Sequence, residues 1–518
     1  MRRAATGIAL QAKLDLRDAV SRSRTRVGTA IAGFWAKDQS GLALLIYAAV
    51  FVNTLIFVLL VSNPLLTADG WYFLDVFVRH AYDGTLGVDD FYVQRAGLDH
   101  AQPLRKLILL MELKWFRLSF LPEAVIGLFC AGLCAYLLYG LVRRETAGTF
   151  NRGIQTNLMC LTMACVLISL NSTNVWTWPL VALSYTSLVF VFWFFIAAWK
   201  ALDTRRYAGL VVSSVLLAAV ADDTAILAGA AALFAALGLG WKKCLREGWW
   251  RVPVLFAVSI GIVQFLIDVL GPVLGGSGTA QPGIGKLVQI FLHGGWWQWP
   301  MYALSGSVAS RDTLQWLDPA HVRRLQALLA VILAGLHLWF WWRFLRTKAN
   351  GIVFVAVCLM LLFYANVAGI VYGRVGVYGS DYLNQPRYVL FYQLNLVALA
   401  LMSVGGRQPD SEASSRTRRR PTPAAGFALI FLILQVVFAK HAWHTAPYIR
   451  LYYWKMAEQT LAMARHPEVT PPACAPELPL CDMPPAQRAE LLALLQKHNL
   501  NLYNDKFRLM HGFSPTLQ

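Results

Sequence analysis

The sequence predicts an all-α, polytopic membrane protein, and three observations support that prediction. Hydrophobic residues make up 57% of the 518 residues and charged residues only 14%, whereas soluble domains are closer to half apolar and a quarter charged. Apolar runs of about 20 residues, the length at which a helix crosses a bilayer, recur along the chain. The formal net charge of +18 is spread in short clusters between these runs. The basic residues therefore indicate membrane topology, and no nucleic-acid partner is expected.

Eleven apolar runs are predicted to be transmembrane helices. The third and fifth are short for a span, and only Asp222 and Asp223 separate the fifth from the sixth. No cleavable signal peptide is expected, because a long basic segment precedes the first run and no short apolar core with a small-residue cleavage site is present. The runs are 42–63, 122–142, 157–173, 179–199, 207–221, 224–240, 252–272, 325–342, 351–372, 388–405 and 424–440.

The charge of the short loops predicts which side of the membrane each loop faces. Alternate loops carry 18 Lys and Arg in total, whereas the loops 171–178, 221–223 and 373–387 between them carry only two. Cytoplasmic loops are enriched in Lys and Arg, so the N-terminus is predicted in the cytoplasm and the C-terminus on the opposite side of the membrane. The basic loops are 143–156, 200–206, 241–251, 342–350 and 406–420.

This topology divides the chain into three parts. Residues 1–41 form a basic cytoplasmic arm, 42–440 the transmembrane body, and 441–518 a small periplasmic tail. Two long loops, 64–121 and 273–324, are predicted to face outwards on the same side as the tail. The outer side is therefore where substantial structure beyond the spans is expected.

The first outer loop contains two stretches with the character of interfacial helices. Residues 71–83 place Asp75, Arg79 and Asp83 on one helical face and apolar residues elsewhere, which is the pattern of a helix lying in the membrane surface. Residues 103–120 are apolar but carry five charges in eighteen residues, which is too many for an easy transmembrane helix. We therefore expect two interfacial helices in this loop.

Asp69 is the strongest candidate for a functional residue in the first outer loop. It follows shortly after the end of the first span, so its carboxylate is expected beside the lipid headgroups. A carboxylate at that depth is costly without a partner or a function. The acidic residues further along the loop are explained at least as well by contact with water.

The order of these features resembles the GT-C class of membrane glycosyltransferases, which take sugars from polyprenyl-phosphate carriers. The similarity covers the arrangement of about residues 42–440: a multi-span body, a long first outer loop with two interfacial helices, and an acid soon after the first span. TADGWYF is similar to the family's catalytic-acid segment, with Gly70 in place of a frequent second acid. LDHAQPLRKL resembles its His-Pro segment, and NQPRYVLFY its Arg-Tyr pair at the start of a late span.

The resemblance implies an inverting transfer of a sugar from a polyprenyl-phosphate donor to a glycan, glycolipid or protein acceptor on the outer face. Asp69 would be the base that takes the proton of the acceptor hydroxyl. Arg387, followed by Tyr388, would bind the donor phosphate, to which a guanidinium can donate two parallel hydrogen bonds. An interfacial Arg that extends towards water explains Arg387 equally well. Further substrate-binding candidates are Arg95, Asp99 and His100.

Two pairs of residues outside the first loop are also candidates. Asp222 and Asp223, at a predicted outer turn, suit acceptor hydroxyls or a divalent cation, although contact with water explains them slightly better. Cys474 and Cys481 bracket a Pro-rich stretch of the tail, where an oxidising compartment permits a disulfide. The sequence leaves open whether that disulfide forms.

Two other functions remain open at this point. A transporter or flippase of a lipid-linked saccharide needs polar residues near the bilayer midplane in several spans, and the notable ones are Asn171, Gln264, Asp268 and Asn366. A polymerase or ligase of surface polysaccharide would use similar lipid-linked substrates, but it typically relies on Arg and His of the outer loops. In each case the lipid bilayer is a partner of the chain.

Overall fold

The computed structural model describes residues 40–92, 103–146, 154–221, 223–243, 255–256, 258–262, 284–292, 295–405 and 423–513. All regular secondary structure in these residues is helical, and they contain no strand. The backbone of Asp69 is among them, whereas its side chain lies outside the described part.

The described helices of more than ten residues are labelled in chain order. They are α1 (Ser40–Val61), α2 (Pro103–Trp115), α3 (Leu121–Glu145), α4 (Ile154–Leu167), α5 (Pro179–Thr204), α6 (Ala208–Ala221), α7 (Asp223–Lys243), α8 (Gln298–Val308), α9 (Val322–Arg346), α10 (Gly351–Ile370), α11 (Leu394–Gly405), α12 (Pro423–Arg465) and α13 (Pro485–Lys497). Shorter helical segments are Asp69–Phe73, Leu74–Val78, Arg79–Asp83, Asp89–Phe91, Thr173–Thr177, Ile284–Leu292, Gly295–Trp297, Arg311–Leu317, Val371–Val375, Gly376–Tyr378, Ser380–Asn384, Pro386–Tyr388, Val389–Tyr392, Pro479–Cys481, Asn501–Tyr503 and Asp505–His511.

Seven of the described helical stretches are long and apolar enough to cross a membrane, and each overlaps one of the predicted runs. They are Gly41–Val61, Leu121–Glu145, Pro179–Thr204, Val322–Arg346, Gly351–Tyr378, Pro386–Gly405 and Ala428–Arg465. Three further runs coincide with the shorter apolar helices α4, α6 and α7. Most of the run 252–272 lies outside the described residues. The predicted class, an all-α multi-pass membrane protein, is confirmed, while the count of eleven spans stays a prediction.

Two helix ends differ from those expected. Helix α4 ends at Leu167, before the predicted limit, because Asn171 bonds across to another segment: its Nδ2 donates to the Gly306 oxygen at 3.2 Å and its Oδ1 accepts from the Ser310 amide at 2.8 Å. Helix α12 continues for 43 residues to Arg465, a length of about 65 Å. The apolar run ends near residue 440, but α12 continues well past its apolar part and includes Pro447 in its interior, a residue that usually interrupts a helix.

Helices α3 and α5 pack unusually closely at Gly127. A Cβ atom at this position would lie 2.3 Å from the backbone oxygen of Ala182, well inside van der Waals contact. Small residues allow helix backbones to approach in membranes, where packing replaces the hydrophobic effect as the source of helix association. The close packing of α3 against α5 therefore requires glycine at position 127.

A second apolar core lies outside the span bundle, between the first loop and the tail. It joins Trp71, Leu74 and Phe77 of the loop to Leu491 and Phe507 of the tail, all of them buried. Within the tail, Cys474 and Cys481 form a disulfide, with Cα atoms 6.3 Å apart. The first loop and the tail consequently form one structural layer on one face of the protein.

Asn501 connects this layer to the start of the span bundle. Its Nδ2 donates to the Leu118 oxygen at 2.6 Å and to the Pro64 oxygen at 3.2 Å, and its amide donates to the Arg117 oxygen at 2.9 Å. Arg117 and Leu118 have φ of 52° and 62°, in the left-handed region that costs residues other than glycine free energy. The side chain of Asn501 therefore stabilises the strained turn that ends the segment after α2.

We predict that Gly127→Ala lowers the thermal unfolding midpoint of the purified protein, with a loss of about 1–3 kcal/mol, because the new methyl group overpacks the helix interface. Gly140→Ala on the same helix is the matched control, since nothing lies within 4 Å of its Cβ position. That control should be neutral or stabilising by about 0.5–1 kcal/mol through reduced backbone entropy. Equal destabilisation by the two changes would contradict the proposed contact.

Asn501→Ala should loosen the tail by about 1–3 kcal/mol, since it removes two buried hydrogen bonds and leaves the Leu118 oxygen without this donor, while the Pro64 oxygen keeps the Phe120 amide. Hydrogen exchange of residues 485–513, followed by mass spectrometry, should accelerate by tenfold or more. Asn499→Ala is the control, because Asn499 has a similar φ of 53° but an exposed side chain. If Asn499→Ala accelerated exchange as much as Asn501→Ala, the hydrogen bonds would not be the cause.

Candidate functional site

Several connecting segments meet on the face that carries the first loop and the tail. The Asn63 amide donates to the Thr177 oxygen at 3.0 Å, and the Ser172 hydroxyl donates to the Pro386 oxygen at 2.9 Å. The Ala68 amide donates to the Glu477 oxygen at 2.8 Å. Hydrogen bonds to backbone oxygens thus hold together the end of α1, the turn before α5, the segment before α11 and the tail.

The opposite ends of the spans meet on the other face. The Gly351 amide donates to the Glu145 carboxylate at 3.3 Å, the Asn350 side chain donates to the Gly405 oxygen at 2.7 Å, and Arg343 donates to the Met402 oxygen at 3.0 Å. The contacts therefore divide these segments into the same two groups as the charge of the loops does.

Arg387 is held between aromatic rings at the first of these faces. Its guanidinium carbon lies 5.6 Å from the ring centre of Trp178, 5.4 Å from Tyr382 and 5.2 Å from Tyr388, and it donates a hydrogen bond to the Tyr382 hydroxyl. Its Nε is buried without a hydrogen-bond partner, and no carboxylate of the described residues pairs with it. Aromatic faces orient a guanidinium but do not neutralise it. The positive charge of Arg387 remains available to an anion.

A cavity of about 230 Å³ opens beside Arg387 and has amphiphilic walls. Arg105 of α2 contributes a second guanidinium. The hydroxyl groups come from Ser184, Thr186, Ser187, Thr224 and Tyr388, and the apolar walls from Leu104, Leu180, Val181, Leu183, Leu188, Val220 and Phe391. Guanidinium and hydroxyl donors suit a phosphate, and the leucine and valine side chains suit a hydrocarbon chain.

Three of the four charged residues of α2 are buried in the protein, which the sequence did not indicate. Arg105, Lys106 and Glu112 are 6%, 1% and 0% exposed, and Arg105 forms an ion pair with Glu123 at 3.2 Å. Burial, and then the negative charge of Glu123, raise the pKa of the Glu112 carboxyl well above its usual range, although Arg105 partly opposes this. Arg105 is thus paired with Glu123, whereas no carboxylate of the described residues pairs with Arg387.

A second cavity of about 340 Å³ lies next to the first and has a different character. It contains the carboxyl groups of Asp312 and Glu477, and burial raises the pKa of Asp312, an effect that Arg311 opposes. The remaining polar and aromatic walls come from Asn63, Thr67, Thr173, Asn174, Thr177, Trp178, Tyr448, Tyr452 and Tyr453. Carboxylates, amides and aromatic faces together are the groups that recognise a ligand rich in hydroxyls.

The two cavities are adjacent through Trp178 and the Pro386–Arg387 pair. Trp178 and Pro386 line the second cavity, while the ring of Trp178 also faces the Arg387 guanidinium of the first. Thr67, two positions before Asp69, lines the second cavity. The Asp69 backbone therefore lies close to the second cavity, whose wall at Trp178 also contacts the Arg387 guanidinium.

The backbone immediately before Asp69 is strained. Ala68 has φ 44° and ψ −120°, a conformation that only glycine adopts easily and that costs other residues about 1–3 kcal/mol. The hydrogen bond from its amide to the Glu477 oxygen holds it there. Glu477 lies inside the loop that the disulfide closes, and its carboxylate accepts a hydrogen bond from Tyr452. The tail thus fixes the path of the chain into Asp69.

The other predicted site residues stay predictions, because their side chains lie outside the described structure. Arg95, Asp99, His100 and Asp222 lie outside the described residues, and Asp223 begins α7 with its side chain undescribed. In the part of the chain with described coordinates, no group of three or more metal-ligating side chains is present.

Sequence reasoning missed Arg105, Asp312 and Glu477 as members of the two cavities. Arg105 had a signal, since an arginine in an otherwise apolar stretch requires a partner or a function. No sequence pattern marks Asp312 or Glu477 as a site residue, because the two lie far apart in the chain and meet only in the folded structure.

The chain was compared with protein-family models, with curated proteins and with solved structures, and none of the three comparisons finds a match.

Proposed function

We propose that this protein is a membrane glycosyltransferase that moves a sugar from a polyprenyl-phosphate donor to a glycan, glycolipid or protein acceptor at the outer face of a bacterial inner membrane. The observation that carries the proposal is Arg387, a guanidinium oriented by three aromatic rings at a cavity with apolar walls, with which no carboxylate of the described residues pairs. A lipid phosphate supplies both the anion and the hydrocarbon that such a cavity lacks.

The adjacent cavity fits the sugar and the acceptor. Its carboxylates and amides can accept and donate hydrogen bonds to hydroxyl groups, and Trp178 offers a face for a sugar ring next to the phosphate position. The strained entry to Asp69 beside this cavity supports a functional role for that residue, since strain persists where the surroundings impose it.

The proposed reaction is a single displacement at the anomeric carbon. The acceptor oxygen attacks that carbon, its proton passes to the Asp69 carboxylate, and the bond from the carbon to the phosphate oxygen breaks. The bonding electron pair stays on the departing phosphate, where Arg387 stabilises the added charge. Attack opposite the leaving group inverts the configuration of the sugar.

Two features support the proposed orientation. The first loop follows α1 and the tail follows α12, and the two pack in one core, so they lie on the same side of the membrane. Between them the chain therefore crosses an even number of times, and the crossing by α1 makes the total odd. An odd number places the two ends of the chain on opposite sides, as the loop charges predict. The disulfide between Cys474 and Cys481 favours an oxidising compartment for the tail, and hence the periplasm.

A transporter or flippase of a lipid-linked saccharide is the second candidate, and one group of polar residues favours it. His337 of α9 lies 2.9 Å from the Tyr364 hydroxyl of α10, beside Asn395 of α11. The Nε2 of His337 and both amide atoms of Asn395 are buried without a hydrogen bond of normal geometry in the described residues. Polar groups inside several spans are typical of transport pathways.

The two candidates differ in what happens to the donor. In liposomes containing the purified protein, a fluorescent polyprenyl-phosphate sugar should lose its sugar to an acceptor if the chain is a transferase. Movement of the intact donor between leaflets without any transfer, abolished by His337→Phe, would instead establish the second candidate.

We predict that Asp69→Asn reduces sugar transfer from polyprenyl-phosphate donors by about 10²–10⁴-fold, because the amide cannot accept the hydroxyl proton.

Arg387→Lys should reduce transfer by about tenfold to a hundredfold, because an ammonium cannot reproduce the two parallel hydrogen bonds of a guanidinium. Transfer is measured with a panel of such donors, after each variant is shown to be monodisperse with an unchanged unfolding midpoint.

Arg346→Lys is the matched control for Arg387→Lys. Arg346 also stacks on an aromatic ring, that of Trp342 at 4.4 Å, but it is exposed and lies at the opposite end of the bundle. Its activity should equal that of the wild type. A well-folded Asp69→Asn protein with full activity would remove Asp69 as the base.

A further inference from the structure

A third and larger cavity lies at the edge of the layer that the first loop and the tail form, and Arg387 is not among its lining residues. It has a volume of about 840 Å³ and runs between the end of α2, the first turns of α3 and the short helix Asp505–His511. We propose that this groove binds an anionic phospholipid of the surrounding leaflet and thereby anchors the tail to the membrane surface. The inference is independent of the reaction proposed above.

The floor of the groove is apolar and begins where the chain enters the membrane. Leu121, Val125 and Ile126 line it, and they belong to the first two turns of a helix long enough to span the bilayer. The groove is therefore at the level where a span meets the lipid headgroups.

Large apolar side chains protrude beside the groove. Trp115 is 66% exposed, Met510 75% and Leu509 84%, and Trp115 and Met510 also line the cavity. Contiguous exposed apolar groups of this size mark a binding surface on a soluble protein, but next to a span they are the side chains expected to enter the headgroup region. Tryptophan is enriched at that depth.

The rim of the groove is positively charged. Arg117 and Lys506 line the cavity, both are exposed, and neither forms an ion pair within the described residues. The one acid in the lining, Asp505, is paired with Arg508. Burial lowers the pKa of His511 to about 4, so its ring is uncharged at pH 7. The two free cations therefore complement an anionic headgroup above an apolar floor.

A lipid in this groove would touch both the span bundle and the tail. The floor belongs to α3, whereas Lys506 and Met510 belong to the last described helix of the tail, which also contacts the bundle through His511 and the Ser119 hydroxyl at 3.3 Å. Its occupation would thus favour the docked position of the tail.

The test uses the purified full-length protein in neutral detergent, titrated separately with dioleoylphosphatidylglycerol and dioleoylphosphatidylcholine while the unfolding midpoint is measured. Wild-type protein should be stabilised at lower concentrations of phosphatidylglycerol than of phosphatidylcholine. Arg117→Glu with Lys506→Glu should weaken the apparent affinity for phosphatidylglycerol by about tenfold or more and leave that for phosphatidylcholine unchanged.

Lys455→Glu with Lys497→Glu is the matched control, since it makes the same charge change at exposed lysines outside the groove. It should bind phosphatidylglycerol within about twofold of the wild type, a change far smaller than reversal of two contacting charges would cause. A second variant, Leu509→Ser with Met510→Ser, should weaken binding of both lipids. Equal binding of the two lipids by the wild type, or an equal loss in the control pair, would overturn the proposal.

Discussion

The proposed function depends on one guanidinium, that of Arg387, which aromatic rings orient and no carboxylate of the described residues neutralises. Arg387 is surrounded by Trp178, Tyr382 and Tyr388, and none of these can balance its charge. A charge held partly away from water is costly unless an anion occupies the adjacent space for part of the working cycle. The apolar side chains that complete the cavity favour an anion attached to hydrocarbon, and the proposal of a lipid-phosphate donor rests on this complementarity.

The position of Asp69 depends on a second constraint, the docking of the tail on the first loop. Glu477 accepts the amide of Ala68, and Asn501 bonds to the turn at Leu118 and to Pro64. The backbone on both sides of the first loop is therefore fixed by residues more than 350 positions away in the chain. Such contacts explain how strained conformations are maintained next to a proposed catalytic residue, because the surrounding structure fixes them from several directions.

Much of the body could be predicted from the sequence, since long apolar runs and the distribution of Lys and Arg are local signals. The helices around residues 71–83 and 103–115 could also be predicted. One aromatic neighbour of Arg387 could be predicted as well, because Tyr388 follows it in the sequence. The burial of Arg105 was not, since its partner Glu123 begins another helix. The second cavity was equally inaccessible, because Asp312 and Glu477 meet only through tertiary packing.

The most direct test of the account is phosphorus-31 NMR of a short prenyl monophosphate, added to the purified wild-type protein and to Arg387→Gln in the same detergent. If Arg387 binds the phosphate, the phosphorus resonance should be shifted and broadened with the wild type. With the variant it should stay close to that of the free ligand. Indistinguishable spectra for the two proteins would show that Arg387 does not bind the phosphate of a prenyl lipid.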